Sequence, residues 1–428
     1  SGDIVNNKGT ITPTGGYSFA LGLDYAGKIQ VTEGFLETDI PVFRDSAIGD
    51  MFNLNGAVRV TRNKSTDGIS NRSKTVDVVS WKLGAIYDVT GGLRLRATQS
   101  RDIRAAGFAE LFVKTAPSEP CTSQGQIRND NIAGTNKIQC AALFSGGNFD
   151  LVPEMADTTA LGFVYAPTFL RGFQVSLDWY QIKIKDAIAN LTAQRVVDLC
   201  YQSQLLCDRV NYASPTNITS VIGGQTNVGK MTTRGFDFEA SYNLPLDRVW
   251  SAGKGALNLR YLLTHQYDLI VQQAPGVPAV DYAGQSGPIV DNGDFFPQPK
   301  WMWNAIASYS TETFNMTWTV RHIGKGVLNM DRFGPEDAGY SPTRLNSIST
   351  NRVKGATYFN VAMSYKIPFG DSLDQNIELF GAIDNLFDKD PAIAPGGGVA
   401  AGATAYPTNP VFFDTFGMRW RAGMRLKF

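Results

Sequence analysis

With 428 residues, the chain is too long for one ordinary core and long enough for several domains or one large barrel. Its 39 Lys and Arg balance its 39 Asp and Glu, which removes any electrostatic case for nucleic acid as a partner. Charged residues are only 18%, Gly numbers 43, aromatics reach 11%, and two His argue against His-rich metal or haem chemistry.

In chain order, "SGDIVNNKGTITPTGG" has no initiator Met and no basic or apolar leader, so it fits a processed or an internal start. A first strand is expected near Tyr17. Apolar and polar residues then alternate over 52–62, 76–88, 157–166, 173–180, 236–243, 255–267, 314–321, 359–367 and 418–428. In one of these, Phe173, Val175, Leu177 and Trp179 alternate with Gln174, Ser176, Asp178 and Tyr180. Such a period of two predicts half-buried antiparallel strands. Many run to about ten residues, the length a membrane strand needs, where soluble strands average five or six.

Short turns at 167–172, 310–313 and 368–374 alternate with long loops at 102–156, 186–227, 268–299, 325–355 and 386–415. A soluble sandwich has no reason to keep that rhythm. It predicts an all-β fold, a transmembrane antiparallel β-barrel of roughly 14 strands, with short turns in the periplasm and long loops outside. No run approaches the ~18 apolar residues of a helical span, an exclusion that does not extend to barrels. Tyr87, Trp179, Tyr180, Tyr242, Trp301, Trp303 and Trp420, near strand ends, are expected in interfacial girdles.

The last segment, "MRWRAGMRLKF", sets which face is out. Met418, Trp420, Ala422, Met424, Leu426 and Phe428 would face lipid, and Arg419, Arg421, Arg425 and Lys427 a wet lumen. Four charges on the lipid side would cost several kcal/mol near the midplane. Asp237, Glu239, Arg260 and Arg321 are expected on the same lumenal face. Asp237 and Glu239 at i, i+2 look like paired glycosidase carboxylates, but alternate inward polar residues give that spacing by default. His265 and His322 are isolated, and "PGGGV" (395–399) lacks the Lys-Ser/Thr and helix of a phosphate loop. The residues predict no enzyme, no cofactor and no metal site.

The four cysteines form two local pairs, Cys121 with Cys140 and Cys200 with Cys207, neither with CxxC spacing. Disulfides in an oxidising compartment are the better reading, although four cysteines allow three connectivities. In long outer loops such links would be structural. Loop aromatics Tyr282, Phe295, Phe296, Phe333, Tyr340 and Tyr406 are candidates to stack on sugar rings or chelator arenes. Packing of loop against loop is the alternative use for them.

From 79 onward the chain resembles a known family. "VSWKLGAIYDVTGGLRLRATQSRDIRAAGFAELF" (79–112) is similar to the barrel of TonB-dependent outer-membrane receptors, in particular a proteobacterial subgroup with an SRxIRAPxxxELF-like motif. Here Ser100, Arg101, Ile103, Arg104, Ala105, Glu110, Leu111 and Phe112 carry it, with Ala106 where the family usually has Pro. The blocks "VTEGFLETDIPVFRD" (31–45), "GNFDLVPEMADTTALGFVYAP" (147–167), "FQVSLDWYQIKIKDAI" (173–188), "NVGKMTTRGFDFEASYNLP" (227–245), "FGAIDNLFDKDP" (380–391) and "FFDTFGMRWRAGMRLKF" (412–428) resemble it in order. Met418 stands where the last block usually has Arg. Phe428 resembles the terminal aromatic read by the barrel assembly machinery.

The resemblance implies one barrel domain over 1–428, the C-terminal part of a 22-stranded barrel in the outer membrane of a Gram-negative bacterium. The plug domain, the TonB box and about eight strands are expected upstream of Ser1. It implies partners in outer-membrane lipid, TonB and a small scarce ligand, with an oligosaccharide favoured over a ferric siderophore. A complete plug-free porin is the first rival, a surface adhesion or phage-docking protein the second, and a soluble sandwich enzyme the last.

Overall fold

The computed structural model describes residues 25–113, 126–129, 137–214, 217–227, 229–272, 278–287, 298–343, 347–369, 375–395 and 407–427. Its main feature is one 14-stranded antiparallel sheet. The strands are β1 (Gly27–Ser46), β2 (Gly49–Asp67), β3 (Ser73–Val89), β4 (Leu93–Arg104), β5 (Glu154–Tyr165), β6 (Phe173–Lys185) and β7 (Lys230–Pro245). They continue as β8 (Ala256–Gln272), β9 (Trp301–Ser310), β10 (Phe314–Ile323), β11 (Ala356–Pro368), β12 (Asn376–Asp384) and β13 (Arg419–Lys427). Each pairs with the next in sequence, and Val280–Asp281 adds a short strand beside β8. This is a pure meander with β1 and β13 at its two edges. Every predicted strand from residue 52 onward has its counterpart, whereas the one expected near Tyr17 lies outside the described residues.

Short turns join β1–β2, β3–β4, β5–β6, β7–β8, β9–β10 and β11–β12 at one end of the sheet. The long connections lie at the other end, together with the tight β2–β3 turn, where Asp67 accepts from Ile69 N–H at 2.9 Å. The two longest strands are the first two, β1 and β2, at 20 and 19 residues.

Register sorts side chains into two faces. Leu36, Val58, Trp81, Leu161, Leu177, Phe238, Leu259, Ala305, Trp318, Val361, Leu379 and Met424 share one face. Glu37, Arg59, Ser80, Arg96, Asp178, Glu239, Arg260, Ser364, Glu378 and Arg425 share the other. The apolar face is not a core, since Leu36 is 70% exposed and Trp420 77%. An apolar band this continuous is stable where hydrocarbon surrounds it.

Ion pairs on that side, Arg234–Asp268 among them, mark its limit. Arg62–Asp77 (2.8 Å) and Arg101–Asp157 (2.7 Å) lie toward the long-loop ends of β2–β3 and β4–β5, so these strands run on past the apolar band. Among the expected girdle residues, Tyr180 belongs to the opposite face. It is in register with Gly235, and its hydroxyl donates to Gln266 Oε1 at 3.1 Å. The physical reason is parity, since Trp179 and Tyr180 are adjacent and a strand cannot turn both outward.

The buried apolar residues gather instead at the long-loop end. One cluster packs α2 (Ala193–Ser203), through Val196 and Leu199, against Ile127, Ile218 and Val221. Thr192 caps that helix by accepting from Arg195 N–H at 3.2 Å, and Cys200–Cys207 closes its far end. A second cluster joins Ile323, Val353 and Tyr358 to Phe412 and Phe413.

Candidate functional site

Charged residues on the polar face form cross-strand pairs along the sheet. Arg96 Nε donates to Asp178 at 2.7 Å, Arg260 Nε to Glu239 at 2.8 Å, Arg421 to Asp384 at 3.1 Å and Arg425 to Glu378 at 3.0 Å. Asp237 sits opposite Asp178 in register and accepts from Thr264 Oγ1 at 2.7 Å. Arg321 lies over the Tyr358 ring at 5.3 Å, and Arg419 pairs with Asp414 at 3.7 Å. Asp237, Glu239, Arg260, Arg321, Arg419 and Arg421 therefore do share a face. Most of these pairs are open to solvent, where each is worth about 0–1 kcal/mol. The wall is a lining that presents charge in fixed positions.

Three separated sequence blocks meet at the top of this wall. Arg104, ending β4, donates through Nε to Glu154 at 2.6 Å and through Nη1 to Glu110 at 2.9 Å. Glu110 in turn accepts from Gly107 N–H at 2.7 Å, capping the one-turn helix α1 (Phe108–Phe112). Arg104 thus ties the "SRDIRA", "AELF" and "PEMA" stretches into one corner. The guanidinium suits this because its planar fork serves two carboxylates at once. The β2–β3 turn braces the same corner, with Arg72 bonded to Asp150 at 2.7 Å and Lys74 Nζ donating to Leu151 O at 2.8 Å.

A second motif organises the loop before β13. Asn385, at a left-handed φ of 53°, is 2% exposed. Its Nδ2 donates to Lys389 O (3.0 Å) and Asp414 Oδ2 (3.1 Å), and its Oδ1 accepts from Lys389 N–H (2.8 Å). Asn tolerates that backbone and satisfies the turn's buried groups at the same time. In β7, Gly235 sits at a bulge where a Cβ would come within 2.5 Å of His265 O and of the Tyr180 hydroxyl. "RGF" needs its Gly for that close approach.

The loop aromatics have mixed fates. Tyr282 is 4% exposed and donates its hydroxyl to Asp331 Oδ2 at 3.1 Å, so it knits two loops together. Burial, with the Asp331 carboxylate beside it, pushes its ionisation well above the usual tyrosine range. Ser286 and Asn409 (Nδ2 to O, 3.2 Å) and Gln285 and Met330 (N–H to Oε1, 3.0 Å) join the same loops. Phe333 and Tyr340 are half-buried. Phe295, Phe296, Tyr406 and Phe428 lie outside the described residues. Of the cysteines, Cys200 and Cys207 are bonded to each other, and Cys140 is disulfide-bonded. Cys121 lies outside the described residues.

Sequence reasoning passed over the two histidines. His265 stacks on Trp301 with centroids 3.6 Å apart and donates from Nδ1 to Lys300 O at 2.8 Å. His322 stacks on Trp303 at 5.1 Å. Both stacks lie on the apolar face at the long-loop end, which suits ring systems at an interface. Carrying the alternation of 255–267 and 314–321 on to these positions puts both in step with the apolar set, a signal the sequence holds.

A family model described as "TonB dependent receptor-like, beta-barrel" matches residues 2–386. The chain belongs to the TonB-dependent receptor family, as part of its β-barrel. Members of this family are outer-membrane transporters of Gram-negative bacteria, not enzymes; they bind small ligands and interact with TonB. No curated protein sequence matches.

Among solved structures, the chain is similar to the FrpB iron transporter from Neisseria meningitidis, with 16% identity and a TM-score of 0.51, covering 95% of this chain and 46% of that one. It is also similar to the copper transporter OprC, with 14% identity, a TM-score of 0.51 and coverages of 94% and 48%. A third is the ferric enterobactin receptor PfeA from Pseudomonas aeruginosa, with 15% identity, a TM-score of 0.51 and coverages of 94% and 55%. At these identities the likeness is one of fold. The receptor barrel described here spans about half the length of these chains.

Proposed function

We propose that this barrel belongs to a receptor for TonB-energised uptake of a scarce small ligand, with an oligosaccharide favoured over a ferric siderophore. The observation that carries the reading is the receptor sheet itself, with a continuous apolar face, a charged face opposite it and packed loops at one end only. The charged face, with Asp237, Glu239, Arg260, Arg321, Arg419 and Arg421, lines the lumen, because hydrocarbon accommodates only the other face. Phe333 and Tyr340, with Phe295, Phe296 and Tyr406, offer rings to a ligand from the outer loops, while Tyr282 holds those loops in place. TonB acts through the N-terminal part of the full-length protein, Phe428 serves assembly, and outer-membrane lipid covers the apolar band. The family match favours this reading over a passive diffusion channel.

The test is uptake of labelled neutral oligosaccharides and of ferric siderophores by cells expressing the full-length protein, with and without functional TonB. Saturable sugar uptake that disappears without TonB is the expected result. Uptake that is linear in concentration and indifferent to TonB would restore the channel, and siderophore uptake alone would replace the sugar.

A further inference from the structure

Phe35 is out of place. It lies on the charged face of β1, flanked at i±2 by Glu33 and Glu37 and opposite Arg59, yet it is 66% exposed. Among the described residues, none buries it. The Arg59 guanidinium sits 5.6 Å from its ring centre and is also 3.7 Å from Glu33, whose other oxygen accepts from Thr61 Oγ1 at 2.9 Å. These bonds hold Glu33 and Arg59 in place around an open aromatic ring.

The ring borders a cavity of about 500 Å³ spanning the charged faces of β1–β4, capped by the corner that carries Asp102 and Pro153. That volume falls within the roughly 300–1,000 Å³ of small-molecule sites. Asp102 is oriented by Ser100, which donates to it at 2.8 Å. Among the described residues, the side chains of Glu37 and Lys82, which also line the cavity, make no hydrogen bond or ion pair.

An exposed ring edged by fixed and free carboxylates fits one ligand chemistry. A pyranose has an apolar C–H face that stacks on an aromatic ring, and equatorial hydroxyls that donate to carboxylates and accept from ammonium. Three carboxylates (Glu33, Glu37, Asp102) against two cations (Arg59, Lys82) leave the lining negative, which repels an anionic ferric chelate and admits a neutral sugar.

We propose that this cavity is a sugar-binding step on the lumenal wall, in which Phe35 stacks on a pyranose ring while Glu37 and Asp102 accept its hydroxyls. The inference rests on the carbohydrate reading of the transported ligand and gives it a place in the barrel away from the outer loops. Its role is transit: a sugar released from the loops pauses here on its way down.

The full-length receptor tests it, with maltotriose, cellotriose and xylotriose as probes. The variant Phe35→Trp places an indole in the cavity, and its emission is expected to shift on addition of whichever trisaccharide the parent takes up. Phe35→Ala is expected to lower uptake of that sugar about tenfold, with outer-loop affinity on whole cells unchanged and Phe35→Tyr close to the parent. Heat-modifiable migration of each variant reports that the barrel is folded. Sugar uptake at the parent rate in folded Phe35→Ala, or a silent indole in a Phe35→Trp protein that still imports sugar, overturns this step alone. A parent that takes up none of the three but imports a ferric siderophore overturns the carbohydrate reading and this step with it.

Discussion

Ala305 and Ile306 are neighbours in β9 and answer to different surroundings. Ala305 pairs with Tyr261 and Val320 on the apolar face, in a groove framed by Tyr242 and Trp318. Ile306 pairs with Arg260 and Thr319 on the charged face. Hydrophobicity alone would have assigned the two the other way round. A residue's surroundings in this sheet are set by its parity, and the composition of each face emerges only as an average over many strands.

The sharpest way to break that comparison is to place the same charge at both positions. Ala305→Arg puts a guanidinium on the lipid side within the apolar band and is expected to cost about 2–4 kcal/mol. Ile306→Arg, one residue away, is expected to cost under about 1 kcal/mol. Folded fraction after urea titration in lipid vesicles measures both; equal costs would mean that the two faces are not in different media.

Next in size is the corner where the charged face meets the loops. Arg104→Ala removes the link between Glu154 and Glu110 and is expected to destabilise that corner by about 1–2 kcal/mol, given its half-exposed setting. Faster hydrogen exchange in 105–113 and 147–154, with the mid-strand amides of β9 and β10 unchanged, is the expected signature. Arg104→Lys should restore only part of it, since an ammonium lacks the fork.

Tyr282→Phe probes the loop packing and is expected to cost about 1 kcal/mol, seen as increased protease cleavage of 278–287. The folded loops hold Tyr282 protonated above the usual tyrosine range, so its contribution is complete below pH ~10, where the unfolded phenol begins to ionise. That contribution declines as pH rises further toward the folded value, and the Phe variant should lack this alkaline loss. Absorbance titration at the phenolate band, parent against variant, checks the sign. The smallest effect is expected on the charged wall, where Glu239→Gln weakens its exposed pair with Arg260 and should change stability by under about 1 kcal/mol.

Much of the sheet was legible because a strand writes its environment at period two. The runs at 173–180, 314–321 and 359–367 announce two solvents residue by residue, and the observed strands begin within three residues of the predicted starts. β1 was hard to see for the same reason. Glu33, Phe35 and Glu37 share a face, so its alternation is broken where the cavity lies. Tyr180 misled because an aromatic near a polar boundary suits either face, and only its register with Gly235 decides. The motif blocks were visible as a pattern, but the pattern did not say that Arg104, Glu110 and Glu154 touch. Fifty residues of chain separate Arg104 from Glu154.

By itself, then, the sequence determined an antiparallel meander with one face for hydrocarbon and one for water, since local chemistry repeats every second residue. Its loop rhythm also determined which end carries the long connections. Only the tertiary structure decided which loop aromatics are spent on packing, as Tyr282, Phe412 and Phe413 are, and which ring stays open, as Phe35 does. Those outcomes depend on contacts between distant segments, and loop sequence carries no periodic signal for them. Burial of a loop ring is a property of the segments that arrive over it, and the residue's own type does not specify them.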